Sequence, residues 1–365
     1  MRRLCVIGWI ALLPLLLGAG PLKVQSAVPA PDLDLLFQRT DGWIGGDGVY
    51  SVAMTPKRTV WLFSDTWVGK VRDGRRVDAT IVNNTIGVQE GANGRVAFSI
   101  ARGKDGKPIA QIVPADGRSW FWLQAGVADR SRLSLFLSQV EKTDTKSVFG
   151  FRSIGQWLGT VANGDQPPEA WRIEQVKMPN TVFSNDRTLV WGAAVLRVGD
   201  DVYIYGTDER RGNLIPNRQM IIARVPAASV GDFAAWRYFR DGKWIEDFRN
   251  PSPLVGGIAT EFSVTPFRRG YLLVYTERGL SPRILGRTAD NPWGPWSEPT
   301  VLYECSEMAR DKNLFCYAAK AQPTLSSGGD LIVSYVVNSF DFWQVARDAK
   351  LYWPRFVRVK FADLD

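Results

Sequence analysis

The sequence predicts an all-β fold, a five-bladed β-propeller with four-stranded blades, and three observations carry that prediction. A strand pair of one design recurs five times along the chain, fifteen tryptophans are spread through it, and helical periodicity is scarce. Wedge-shaped blades leave wide spaces between them, and large rings fill such spaces. At 365 residues and 45% apolar composition the chain can bury a large core, so one domain over residues 27–365 is preferred to two.

The recurring unit is a short inner segment, a tight polar turn and a strand rich in β-branched and aromatic residues. The second strands are Val60-Trp61-Leu62-Phe63, Leu133-Ser134-Leu135-Phe136, Val202-Tyr203-Ile204-Tyr205, Leu272-Leu273-Val274-Tyr275 and Leu331-Ile332-Val333-Ser334-Tyr335. Their last aromatic residues lie 73, 69, 70 and 60 positions apart, a spacing that suits four strands with long loops. Third and fourth strands follow in Met220–Val225 with Trp236–Phe239, and in Arg283–Arg287 with Trp296. The last unit offers only Phe356–Lys360 after its first pair, whereas Leu35-Leu36-Phe37 has no blade of its own. An N-terminal strand at Leu35–Phe37 is therefore expected to complete the last blade and close the ring. A β-sandwich would need neither the five similar pairs nor that leftover strand.

The first residues read as a leader. Arg2 and Arg3 precede an apolar run from Leu4 to Ala19, and small residues follow at Gly18-Ala19-Gly20 and Val24-Gln25-Ser26. Residues 1–26 are expected to be a signal peptide and the protein to be exported, to the periplasm or beyond the cell, with no membrane span after cleavage. Arg2, Arg3 and Lys23 leave with the leader, so the formal charge of +8 falls to about +5. That excess is scattered, with no basic block or helix, which argues against a nucleic-acid partner. A monomer is expected. Cys305 and Cys316 then form an even pair in an oxidising compartment, and a disulfide between them is predicted.

The chain contains no histidine. Serine and cysteine triads that depend on an imidazole are excluded, as are zinc sites of the HExxH kind. No metal site is predicted and no cofactor; an ion in the channel would have to be an oxygen-liganded one such as Ca²⁺, although no dense run of ligands supports it. Polar chemistry falls to carboxylates, with Tyr, Lys and Arg in support.

In an antiparallel blade the start of the innermost strand and the end of the second share one end of the propeller. The starts bring Asp47, Trp122, Trp191, Glu261 and Lys320 to that rim, and the ends bring Asp65, Asp208, Glu277 and Asn338. Asn83 and Asn84 open a third strand near the same place. Acids far apart in sequence thus meet around one opening, which is what glycoside cleavage requires: one protonated carboxyl to release the leaving oxygen, one ionised to activate water or attack the sugar. Trp122 and Trp191 would offer faces to sugar rings, and Lys320 and Asn338 would bind hydroxyls.

On these residues the chain resembles an exported propeller family of largely unknown function related to the endo-D-arabinanases of glycoside hydrolase family 183. The resemblance spans about Asp41 to Lys360. It rests on Gly45-Gly46-Asp47-Gly48-Val49-Tyr50-Ser51, Trp61-Leu62-Phe63-Ser64-Asp65-Thr66, Trp191-Gly192-Ala193-Ala194, Glu261-Phe262-Ser263-Val264, Ala318-Ala319-Lys320-Ala321 and Tyr335-Val336-Val337-Asn338-Ser339. The segment from Arg287 to Trp296 resembles the outer-strand signature of five-bladed glycosidases. The resemblance implies acids at Asp47 and Asp65, with a further carboxylate placed at Glu261. The expectation is an exported glycoside hydrolase acting on a poly- or oligosaccharide, an arabinan-like furanoside among the candidates. Glu261, at the start of an apolar strand, is expected to be the acid, Asp47 the base or nucleophile, and Asp65 the group that tunes its neighbour. The alternative is a non-catalytic carbohydrate-binding propeller of the envelope, using the same rim.

Overall fold

The computed structural model describes residues 22–145, 147–211 and 217–362; residues 1–21, and with them most of the expected leader, lie outside the described residues. Among the described residues, apart from two short helices and four short 3-10 turns, the regular structure is β.

Each expected strand pair forms the heart of an antiparallel sheet. The first sheet orders Tyr50–Thr55, Arg58–Phe63, Thr85–Glu90 and Ala97–Ser99. The second runs Trp120–Asp129, Arg132–Lys142, Phe151–Val161, Ile173–Lys177, and the fourth Phe262–Phe267, Gly270–Thr276, Arg283–Ala289, Thr300–Glu304. The third is larger, because Val182–Phe183 and the Arg237–Arg240 and Lys243–Ile245 hairpin flank its central strands. Leu314–Ala321, Leu331–Ser339 and Pro354–Phe361 make the fifth, together with Val24–Pro29 from the N-terminus. Successive sheets touch through their innermost strands. The fifth returns to the first, where the Ser51 hydroxyl donates to Gln322 Oε1 at 2.7 Å and Gln322 Nε2 donates to the Val49 carbonyl at 2.9 Å.

The N-terminal strand that joins the last sheet is Val24–Pro29, in register from Val24 opposite Phe361 to Pro29 opposite Val357. It is not Leu35–Phe37, which lies in the helix Pro31–Phe37. Pro31 at the first helical position and Asp32 and Asp34 in the first turn favour that helix, and they outweigh a three-residue apolar run. Trp296 likewise precedes the fourth strand of its sheet, Thr300–Glu304, instead of lying in it. One element lacks any sequence forecast: a three-stranded sheet in which Asp41–Gly46, ahead of the first sheet, joins Thr66–Arg72 and Arg75–Val82, which are inserted between the second and third strands of that sheet.

Trp43, Trp61, Trp191 and Trp236 are fully buried. Their rings lie against other aromatics, as in the edge contact of Phe37 with Trp61 at 4.9 Å and the stack of Trp43 on Phe98 at 4.0 Å. Such pairs add about 0.5–1.5 kcal/mol beyond the area they bury. Cys305 and Cys316 are buried and unbonded. The predicted disulfide is therefore not formed in this structure; the two thiols sit in hydrogen-bond contact, which together with burial pushes Cys305 far above the usual thiol range. Among the described residues no helix is long and apolar enough to cross a membrane.

Candidate active site

The ends of the inner strands open into a cleft of about 840 Å³ to which all five sheets contribute. Asp47, Asp65 and Glu261 stand together in it, as the strand-end argument requires. The first two are joined through the backbone: Asp47 N–H donates to the Asp65 carbonyl at 3.2 Å, and Ser64 N–H to the Asp47 carbonyl at 3.0 Å.

Asp47 is held by two phenols. Tyr317 and Tyr352 donate to its Oδ2 at 2.6 and 2.8 Å, while its Oδ1 is buried without a partner. Burial, then the charges of Asp65 and Glu261, push this carboxyl up to about 8, against the pull of the two tyrosine bonds. Near neutral pH it therefore keeps its proton. Burial also drives both tyrosines well above the ordinary phenol range, so they remain neutral donors.

Asp65 Oδ1 accepts from Trp122 Nε1 at 2.9 Å and from Asn83 Nδ2 at 3.0 Å. Burial raises its carboxyl to about 6, and those two bonds restrain the rise. Glu261 lies in a different setting from the apolar one expected of it. Lys320, only 2% exposed, donates to Glu261 Oε2 at 2.6 Å, to the Gly48 carbonyl at 2.6 Å and to the Ala318 carbonyl at 3.1 Å. The ammonium also stands 4.1 Å from the centre of the Tyr50 ring. Burial lowers the Lys320 value and Glu261 opposes that shift, so the pair is held as an ion pair. The Tyr50 hydroxyl lies beside Glu261 but makes no well-formed hydrogen bond.

The local backbone is built for this convergence. Val49, Ala318 and Tyr352 adopt left-handed conformations with φ of 54°, 59° and 64°, unusual for residues with side chains. Gly45 has φ of 134°, and a Cβ there would stand 2.6 Å from the Tyr352 carbonyl, so only glycine lets the two chains pass. Arg76 is buried and donates to the carbonyls of Ile44, Val345, Asp348 and Leu351. It thereby ties down the segment that ends in Tyr352.

Several expected site residues do other work. Trp191 is wholly buried, donates to the Asn180 carbonyl at 2.7 Å and packs on Trp236 and Tyr238, so it offers no face to a ligand. Asn84 is also buried; its carboxamide binds Ile112 N–H, the Ile112 carbonyl and the Phe121 carbonyl, and holds loops together. Asp208 is locked in a two-pronged pair with Arg187 at 2.7 and 2.8 Å, while its neighbours Thr207 and Glu209 line the cleft. Glu277 turns away to Arg283 and Ser281. Lys320 is in the centre but is spent on Glu261 and backbone carbonyls, not on ligand hydroxyls. Trp122 and Asn338 do line the cleft, Asn338 lying 3.5 Å from the Tyr317 hydroxyl. Among the described residues no group of three or more Cys, Asp or Glu is arranged to hold a metal ion.

Tyr317, Tyr352 and Arg76 escaped the sequence reading. Tyr317 had a usable signal, standing three residues before Lys320 at the start of an innermost strand. Tyr352 sits in a connection between strands, and no pattern marks it.

The chain belongs to the family described as Domain of unknown function (DUF5005), which matches residues 31–361. It is 26% identical over 325 residues to Notoamide biosynthesis cluster protein J' of Aspergillus versicolor, covering 82% of this chain and 84% of that protein. A solved structure from Bacteroides ovatus, provisionally described as a hydrolase, has the same fold, with a TM-score of 0.72, 20% identity, and coverage of 91% and 90% of the two chains. A GH43_1 enzyme from Xanthomonas citri aligns over 93% of this chain and 92% of its own at 14% identity and a TM-score of 0.47.

Proposed function

We propose that this protein is a glycoside hydrolase, its five sheets the blades of a five-bladed β-propeller, cleaving a poly- or oligosaccharide in the cleft at one end of the channel. The observation that carries the reading is a division of charge: Asp47 is kept neutral at about 8 while Glu261 is ion-paired to a buried lysine in the same cleft. Two carboxyls whose surroundings drive them into opposite protonation states are the requirement of acid–base glycoside cleavage. Asp47 gives its proton to the glycosidic oxygen as the C–O bond breaks. The Glu261 carboxylate either takes a proton from the attacking water or forms a bond to the anomeric carbon. Asp65, hydrogen-bonded to Trp122 and Asn83, raises Asp47 by its charge. These roles reverse the assignment expected for Asp47 and Glu261, because Glu261 lies against the Lys320 ammonium and not in the apolar setting expected of it.

The Bacteroides ovatus protein of the same fold, provisionally described as a hydrolase, agrees with this reading. Export of the chain suits a polymeric substrate; the leader expected over residues 1–26 overlaps the first three residues of the Val24–Pro29 strand. An arabinan-like furanoside belongs in the substrate panel on the resemblance of the motifs. Since one chain supplies every group of the site, a monomer suffices.

The test is release of reducing ends from a glycan panel by wild type, Asp47→Asn and Glu261→Gln. Each variant is expected to lose about 10²-fold or more in kcat while still binding glycan. For wild type, kcat/KM should fall above about pH 8, as Asp47 loses the proton it must donate. Binding with no turnover by wild type on any glycan would establish a binding module instead, and a rate that rises through pH 8 would return Asp47 to the role of base.

A further inference from the structure

The acids give the cleft a negative appearance that its charge pairing removes. Glu261 is neutralised by Lys320, Asp47 retains its proton, and Glu209 is ion-paired with Arg218, both side chains less than one-fifth exposed. Asp65, held by Asn83 and Trp122, and Asp47, held by two tyrosines, are the carboxyls of the cleft wall with no cationic partner among the described residues. Against them, Arg152, Arg211, Arg218 and Arg278 all line the cleft. Arg152 is paired to Glu141, which leaves positive charge in excess along the wall formed by the third and fourth sheets.

That excess is concentrated beside Glu261. The fourth sheet begins at Phe262, directly opposite Tyr275, and a turn in which Gly279 N–H donates to the Thr276 carbonyl carries Arg278. Arg278 is exposed, lines the cleft and has no hydrogen bond or ion pair among the described residues. Its neighbour Glu277 does not compensate it, being held by Arg283 at 2.8 Å on the other side of the strand. Arg218 reaches the same turn from the third sheet. Its Nη1 lies 3.4 Å from the Ile258 carbonyl and 3.8 Å from where a side chain at Gly279 would begin. The missing side chain at Gly279 leaves space beside the Arg218 guanidinium, so that one stretch of the cleft is lined by a paired arginine and, next in sequence to this glycine, a bare one.

We propose that this arginine-lined stretch of the cleft binds an oxyanion carried by the substrate, so that the enzyme acts on an acidic glycan, one bearing a uronate carboxylate or a sulfate next to the scissile bond. The inference rests on the glycosidase reading for its site of cleavage, but not for binding. A guanidinium presents planar paired donors that match such oxyanions, and a partly enclosed cleft screens the attraction less than open water does. The pairing of the catalytic acids acquires a purpose here: without it, an anionic sugar would be repelled by three carboxylates at the point of chemistry. The positive net charge, about +5 without the leader, would further steer an acidic polymer to the protein.

The experiment is calorimetric binding of four probes: a tetrasaccharide of uronates, its carboxyl-reduced neutral counterpart, a sulfated oligosaccharide and its desulfated form. Wild type should bind at least one charged probe about tenfold or more tightly than its neutral counterpart, with the preference shrinking as salt rises. Arg278→Gln should bring the ratio of charged to neutral affinity close to one, Arg278→Glu should invert it, and Arg278→Lys should restore part of it. Which charged probe is preferred tells carboxylate from sulfate. Equal binding of charged and neutral probes by wild type, or a ratio unchanged in Arg278→Gln, overturns the proposal. Reducing-end release on the same probes separates the two claims. Selective binding of the charged probe without cleavage leaves the oxyanion site standing and the glycosidase reading refuted. Cleavage of neutral glycans alone does the opposite.

Discussion

Replacing the central acid should make the protein more stable and inactive at once. Asp47 has an ordinary value of 3.8 and is driven to about 8 by burial and by its neighbours. The sign follows from linkage. A folded-state value raised above the unfolded one means that the unfolded chain loses this proton first, so stability is complete below about pH 4 and is drained as pH climbs towards about 8. Each unit in that window is worth about 1.4 kcal/mol. Between about pH 4.5 and 7.5 the wild type therefore gives up on the order of 4 kcal/mol at this single residue. Asparagine resembles the protonated acid in shape, can accept from Tyr317 and Tyr352 through its oxygen, and does not ionise. Urea unfolding of wild type and Asp47→Asn at a series of pH values measures the difference. It should be near zero at about pH 4.5 and grow in favour of the variant by several kcal/mol at about pH 7.5, with unchanged m-values, while reducing-end release is lost. A difference that stays flat across this range would falsify the claim that Asp47 is neutral in the folded protein, and with it the role of proton donor.

Lys320→Met removes the counter-charge of Glu261 and should destabilise by about 3–5 kcal/mol, as loss of one partner of a buried pair does. The double variant Lys320→Met with Glu261→Gln should recover most of that stability in urea unfolding but none of the activity; no recovery would mean that lysine packing, and not charge, is what was lost. Trp191→Ala should cost about 3–5 kcal/mol in the same assay, because a fully buried indole leaves a cavity and an unpaired Asn180 carbonyl. Its glycan affinity, measured where the variant is still folded, should match wild type, and a selective loss of affinity would put Trp191 back at the ligand.

The fold was legible where burial on both faces erases alternation. The second strand of each sheet, such as Val60–Phe63 or Leu133–Phe136, is covered by neighbouring sheets and spells a continuous apolar run. Legibility failed where the signal was shorter than its competitor, as at Leu35–Phe37, or where a strand pair lies at the surface. Arg75–Val82 alternates exposed and partly buried residues, and its charges at Arg75, Arg76 and Asp78 read as a loop. At the site, strand ends identified the rim but not which way each side chain faces. A strand shows successive residues to opposite sides. Parity therefore placed Glu209 in the cleft and Asp208 against Arg187; beyond the strand end at Thr276, a turn with a left-handed Arg278 leaves Arg278 lining the cleft while Glu277 pairs with Arg283. The tyrosines that hold Asp47 come from a bulged strand start and a strand connection, where sequence spacing carries no register.

Nearly everything unusual in the described residues around the cleft is unfavourable to folding, and that concentration is itself an argument for chemistry there. Three non-glycine residues in left-handed conformations, Val49, Ala318 and Tyr352, adjoin or contact Asp47 and Lys320. Such conformations cost on the order of 1–3 kcal/mol each. An ammonium is buried against one carboxylate, and a second carboxyl is buried so that it stays neutral. A buried guanidinium, Arg76, lowered to about 10 by that burial, is committed to four backbone carbonyls so that Tyr352 reaches Asp47. Packing alone would favour replacing each of these groups with an apolar one. Together they set two acids of one cleft in opposite surroundings, one against a buried ammonium and one between two phenols, which is the arrangement the proposed acid–base cleavage requires.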